Sequence, residues 1–126
     1  MDHTTNAINW FEIPALDIDR ATAFYEAILN IKMERQEMMD SQMAFFPFEP
    51  GSGKLSGAVV TGEYHKPSTE GTFVYLNANP AMDNVLARVE AAGGKIIQPK
   101  FSIGDHGFCA YILDTEGNCV GIHSMG

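Results

Sequence analysis

"IPALDIDRATAFYEAILN", residues 13–30, decides how the chain is read. Asp17 offers an oxygen that can cap a helix. Behind it Ala21, Phe24, Tyr25 and Ile28 fall at i, i+3, i+4 and i+7, one apolar face of an α-helix. Pro14 closes the run before it. Residues 8–13 (INWFEI) alternate poorly and read as a strand buried on both faces. After the helix, residues 33–37, 44–48 and 55–61 read as three more strands. Pro47 suggests an edge or bulge position in the second of them. The intervening Glu49-Pro50-Gly51-Ser52-Gly53 has the composition of a turn.

The same order then repeats. Residues 62–71 (GEYHKPSTEG) are polar and read as a linker in which His65 is a loose histidine. Residues 72–77 form a strand. Asn79 caps a helix and Pro80 takes its first position, where a missing N–H costs nothing. Met82, Val85, Leu86 and Val89 repeat the apolar face, and Gly93-Gly94 ends it in the left-handed region. Residues 95–98, 108–113 and 119–123 are three more strands. The chain is thus α+β, a strand–helix–three-strand unit used twice. The spacing between the halves is 61 residues at the helices (Ala21, Met82), 66 at Ala44 and Ala110, and 64 when Gly57 is matched with Gly121. The expected organisation is one domain over 1–126, with module one at about 7–61, the linker at about 62–71 and module two at about 72–124.

Bulk properties narrow the function classes. The 126 residues are 45% hydrophobic and 19% charged, enough for a real core, and the net charge is -8. Such an acidic chain repels nucleic acid and anionic membrane surfaces. No run of 18 apolar residues exists, and residues 1–6 have neither a basic nor an apolar signal region. A cytoplasmic protein is expected. Pairing of 113 with 118 would set Cys109 opposite Ile122 rather than Cys119, so two reduced thiols are expected. Zinc-type cysteine and histidine spacing, dinucleotide and phosphate loops and nucleophile elbows are missing.

Three motifs carry a resemblance. They are "IPALDIDRATAFYEAILN", "VLARVEAAGGKI" (85–96) and "AYILDTEGNCVGIHS" (110–124). Together they resemble the vicinal-oxygen-chelate superfamily of glyoxalase I, bleomycin-resistance proteins and extradiol dioxygenases. That resemblance implies two βαβββ modules of the glyoxalase-like fold, their curled mixed sheets facing a cleft, and a homodimer. It also implies one divalent metal held from the first and last strands of each module. Carried over residue by residue, the ligand positions fall at Trp10, at Phe73 with Val74 the alternative, at Gly121 and near Gly57. None can bind a metal, so no metal or other cofactor is expected.

Alternation along the strands then names the cleft residues. With Trp10 facing inward, so does Glu12; with Phe73, so do Tyr75 and Asn77; with Gly121, so does His123. An aromatic pocket with a few polar groups suits a small organic ligand. Gly57 and Gly121 would leave room for it, and Lys100 could meet an anionic group. Glu12 and His123 are the candidate catalytic residues, as general bases, with Asn77 or Tyr75 polarising a carbonyl. Trp10, Phe73, Tyr75, Asn77, Gly121 and Lys100 are the candidate ligand-binding residues. A buried carboxylate at Glu12 demands a partner or a ligand. The readings left open are a metal-independent lyase or isomerase, a non-catalytic binder that sequesters a toxic compound, and a divalent-metal lyase or dioxygenase using Glu12 and His123.

Overall fold

In a computed structural model of residues 1–126, Asp17 begins the first helix as expected. Its side chain accepts from the Arg20 amide at 3.1 Å. The helix α1 runs Ile18–Leu29, and Ala21, Phe24, Tyr25 and Ile28 are each at most 1% exposed. Asn30 ends it in the left-handed region, which asparagine tolerates better than most residues. The strands of this half are β1 (Phe11–Pro14), β2 (Glu34–Met38), β3 (Ser41–Phe45) and β4 (Gly57–Thr61). Pro47 falls beyond β3 rather than inside a strand.

The second half repeats the order with β5 (Tyr75–Asn77), α2 (Met82–Val89), β6 (Lys95–Ser102), β7 (Phe108–Leu113) and β8 (Cys119–Ser124). Its helix starts differently from expectation. The N-cap is Ala81, without a side-chain bond, and Pro80 lies before the helix on a cis peptide with Asn79. Asn79 cannot cap because its side-chain oxygen accepts the Met125 amide at 2.8 Å. The Met82 amide is met instead by the Gly126 carbonyl at 3.3 Å. The segment following β8 thus satisfies the helix start. Gly93, at φ 104°, supplies the left-handed turn anticipated for it.

Two open mixed sheets result, ordered β1-β4-β3-β2 and β5-β8-β7-β6. In each, the first strand runs parallel to the last and the others are antiparallel. Proline in β6 is tolerated because that strand is an edge, and its register with β7 slips on either side of Gln98. The helices pack on one face of the sheets. A single core cluster of 20 buried residues runs through both halves, from Ile13 and Val59 to Leu76 and Ile122. Trp10 packs on the other face of the first sheet with Met43, Ala58 and Val60. The first strand is therefore not buried twice. Ile13 enters the core, while the Glu12 side chain stays 34% exposed on the opposite face.

Register corrects the repeat. Glu12 pairs with Ala58 in β4, and Tyr75 pairs with Gly121 in β8. The bonds Ala15 N–H to Val60 O (2.9 Å) and Ala78 N–H to His123 O (2.8 Å) are equivalent. The last strands are thus offset by 63 residues, not 64, and Gly121 corresponds to Ala58. A shift of one residue turns a strand's side chains to the other face. Gly57 therefore shares the core-side face of Val59. A Cβ there would collide with the Phe11 carbonyl and lie 2.5 Å from its ring. A Cβ at Gly121 would lie 2.5 Å from the Tyr75 ring. Neither glycine leaves room for a ligand, since each is filled by an aromatic ring. The last hairpin is likewise one residue off expectation. Leu113 faces Cys119 and Cys109 faces His123, so both thiols stay free.

A buried polar staple fastens the two halves. The Asp114 Oδ1 accepts the amides of Glu116, Gly117 and Asn118 at 2.8, 2.9 and 2.9 Å. Its Oδ2 accepts the Tyr25 hydroxyl of α1 at 2.6 Å and the Asn118 side-chain amide at 2.9 Å. Asn118 also donates to the Pro14 carbonyl at 2.7 Å and accepts the Ser68 amide at 3.1 Å. Glu116 reaches across to accept the Leu16 and Asp17 amides, both at 2.8 Å, and the Arg20 guanidinium at 2.7 Å. Burial pushes the Glu116 carboxyl up, but the Arg20 bond and the Asp17 and Leu16 amides outweigh it and hold it below its ordinary value.

Four variants check this packing. Asp114→Asn turns an acceptor of five bonds partly into a donor, and should cost roughly 3 kcal/mol in urea unfolding. Tyr25→Phe, which removes one bond, should cost about 1 kcal/mol. The lowered Glu116 pKa means its stabilisation is complete above the ordinary glutamate value and lost as pH falls through the folded value. Glu116→Gln should therefore flatten the stability–pH curve across that acid range. Gly121→Ala must displace Tyr75, and should lower stability by roughly 1–3 kcal/mol.

Candidate functional site

β1 and β5 are edge strands, and a cleft of about 750 Å³ is lined by residues from both. That volume suits a small organic molecule. Trp10, Phe11 and Glu12 line it from the first half, and Phe73, Val74 and Tyr75 from the second. Lys66, Ser68 and Glu70 of the connecting segment form a further side. The 63-residue offset makes Trp10 equivalent to Phe73, and Glu12 to Tyr75. The walls are thus built by the duplication itself.

The aromatic walls are braced from behind. Trp10 meets Phe45 and Phe48 edge-on, with centroids 5.4 and 5.9 Å away. Phe73 stacks on Tyr75 at 6.1 Å and tilts against Tyr111 at 5.2 Å. The Tyr75 and Tyr111 hydroxyls lie 3.3 Å apart. That hydrogen bond, with some burial, pushes the Tyr75 phenol up to about 12. Tyr75 is therefore a neutral phenol near neutral pH and can polarise an oxygen, but it is no base. Cys119 lines the cleft too, and burial raises its thiol, which keeps it protonated and a poor nucleophile.

Glu12 is the one carboxylate held in place in this wall. Its Oε1 lies 2.7 Å from His65 Nε2, and its Oε2 accepts from Trp10 Nε1 at 3.3 Å. The partner demanded by a strand carboxylate is therefore largely His65. Reading that histidine as a loose linker residue is corrected: Gly62 and His65 form a bridge that turns the imidazole onto β1. A polar stretch between two glycines has no periodicity from which this contact could have been found. Gly62, which allows the turn, is the only local hint.

The remaining candidates lie elsewhere. Asn77, Gly121, His123 and Lys100 do not line the cleft. His123 Nε2 donates to the His106 carbonyl at 2.7 Å, in the short 3-10 turn Gly104–His106. Asn77 accepts the Asn79 amide at 2.8 Å. Lys100 sits 3.4 Å from Asp83 and 4.4 Å from the Phe108 ring centroid. The structure therefore brings Trp10, Glu12, Phe73 and Tyr75 to the cleft and leaves the other four out of its lining, Gly121 lying behind the Tyr75 ring.

The divalent metal implied by the resemblance can be tested against these donors. Trp10, Ala58, Phe73 and Gly121 carry no metal-binding atom on their side chains. Ala58 replaces Gly57 here by the corrected register, with no gain in donors. No group of three or more histidine, cysteine, aspartate or glutamate side chains comes together to hold an ion. Glu12 and His123 share no such group. The residues present do not fit the metal.

A family model, described as the Glyoxalase/Bleomycin resistance protein/Dioxygenase superfamily, matches residues 7–122. CFP32 of Mycobacterium tuberculosis, which carries a glyoxylase name, is 27% identical over 124 residues. The match takes in 90% of this chain and 44% of that protein, so the chain spans less than half the length of this relative. A glyoxalase/bleomycin resistance protein from Albidiferax ferrireducens superposes with TM-score 0.68 at 18% identity, covering 94% of this chain and 98% of that one. The fosfomycin resistance protein FosX of Listeria monocytogenes gives TM-score 0.63 at 17% identity, covering 95% and 90%. These structural likenesses concern the fold. No helix is long and apolar enough to cross a membrane. With its doubled βαβββ sheets and a family match over nearly all its length, the chain belongs to the Glyoxalase/Bleomycin resistance protein/Dioxygenase superfamily.

Proposed function

We propose that the cleft binds a flat organic molecule without a metal, between Trp10 and the Phe73–Tyr75 pair, and that Glu12 accepts a hydrogen bond from it. The observation that carries this is the Glu12 carboxylate, fixed at 2.7 Å by His65 on the wall of an aromatic cleft. Both donors to Glu12 come from the protein, and a carboxylate has lone pairs to spare for a third. A ligand presenting N–H or O–H would complete the set. Stacking on tryptophan and tyrosine faces adds apolar burial, and a cationic ligand adds attraction to the ring faces.

Such a site can also move one proton. Glu12 would take it from an acidic C–H or O–H, and the neutral Tyr75 phenol would stabilise the oxygen where charge develops. This is the chemistry of a metal-independent lyase or isomerase. The second reading is a binder that sequesters its ligand; two of the structural neighbours are named as resistance proteins. The cleft favours it in one respect: His123 lies elsewhere and Tyr75 is held neutral, so neither joins Glu12 as a base.

Trp10 is the only tryptophan, so its emission reports the cleft directly. Benzamidine, flat and rich in donors, should quench it saturably, whereas benzoate, which only accepts, should not. Glu12→Gln should weaken benzamidine by about tenfold or more, the worth of a charge-assisted hydrogen bond. Equal binding of benzoate, or no effect of Glu12→Gln, would overturn the donor requirement. Element analysis of protein purified without a histidine tag should find no stoichiometric metal. Stoichiometric nickel, zinc, iron or manganese would sink the metal-free reading.

A further inference from the structure

We propose that His65 is a positioning residue locked in one tautomer, which holds Glu12 as a carboxylate acceptor facing the cleft. This rests on the reading of Glu12 as the group that meets the ligand. His65 does not itself line the cleft, so it acts through Glu12.

The lock follows from the two ring nitrogens. Nε2 lies 2.7 Å from Glu12 Oε1, a distance that requires a proton between them. Nδ1 is buried and has no hydrogen-bond partner. A proton on Nδ1 would be a buried donor with no acceptor, which folded proteins tolerate less well than an unused lone pair. The proton therefore sits on Nε2 and Nδ1 stays bare. Gly62 makes this arrangement possible. Its carbonyl accepts the His65 amide at 3.1 Å, and a Cβ on it would lie 3.0 Å from Nδ1 and 3.0 Å from Ser41 Oγ. Only a residue without a side chain lets the ring lie there unshifted.

The consequence falls on Glu12. With Nε2–H on one oxygen and Trp10 Nε1–H on the other, both contacts from the protein are donors. The carboxylate is fixed in direction and has only its outward lone pairs to offer. The order is the reverse of a Ser-His-Asp site, where the imidazole stands in front and the carboxylate orients it from behind. Here the carboxylate stands in front and the imidazole orients it.

Side-chain nitrogen NMR of the full chain at neutral pH tests the lock without any ligand. His65 should show a protonated Nε2 and a bare Nδ1. An Nδ1–H tautomer or an imidazolium would overturn the proposal. The second arm uses benzamidine and Trp10 emission. His65→Gln keeps an amide N–H near the position of Nε2, so its affinity should stay within about threefold of the unaltered chain. His65→Leu has no donor and should weaken benzamidine about tenfold. Equal loss in both variants, or none in either, would refute the positioning role. Failure of benzamidine to bind the unaltered chain would refute the reading of the cleft instead, and the tautomer measurement would still decide His65.

Discussion

The Asp114 carboxylate holds the structure together. It is buried and accepts five hydrogen bonds, three from its own turn, one from Asn118 and one from Tyr25 in the other half. A buried carboxylate is costly unless so satisfied, and once satisfied it is unforgiving of change. Burial, with the Asp114 charge beside it, pushes the Tyr25 phenol well above its ordinary value, so it stays a donor. Around that bond Glu116 clamps the start of α1, and Asn118 joins Pro14 to Ser68. The turn between β7 and β8 is thereby bolted to β1 and to the connecting segment.

That bolt places the cleft. β1 and β5 are both free edges, and exposed edges are usually paired or covered. Here the polar staple and the shared core hold the two halves so that both edges border one cavity. The duplication then supplies Trp10 and Phe73 at matching positions, and Glu12 and Tyr75 likewise. One pair gives two aromatic walls. The other gives a carboxylate, which only accepts, and a neutral phenol, which can also donate. The difference between a symmetric scaffold and a useful site lies in that second pair.

Much of this was legible from residues alone. The apolar spacing in α1 and its Asp17 cap are local signals and formed as read; the turn at Asp114–Asn118 also formed, with its strands paired one residue away from expectation. Alternation also brought Trp10, Glu12, Phe73 and Tyr75 to one cleft. Errors arose where a single residue of register mattered. Matching Gly57 with Gly121 turned β4 over, because side chains alternate with period two and glycine has none to betray the face. Asn79 failed as a cap because a distant strand end took its side chain. His123 reads as a site residue by alternation, yet its ring is spent on the His106 carbonyl.

By itself, then, the sequence determined the doubled strand–helix–strand order, the buried helix face and the poverty of metal donors at the strand positions. Those follow from periodicity and from side-chain chemistry, which are properties of neighbours along the chain. Only the tertiary structure decided which face each glycine served, which residues share the cleft and what Glu12 touches. The His65–Glu12 contact spans 53 residues and leaves no pattern in either segment. A long-range hydrogen bond costs loop closure and depends on the packing of everything between its ends. It becomes visible only once that packing exists.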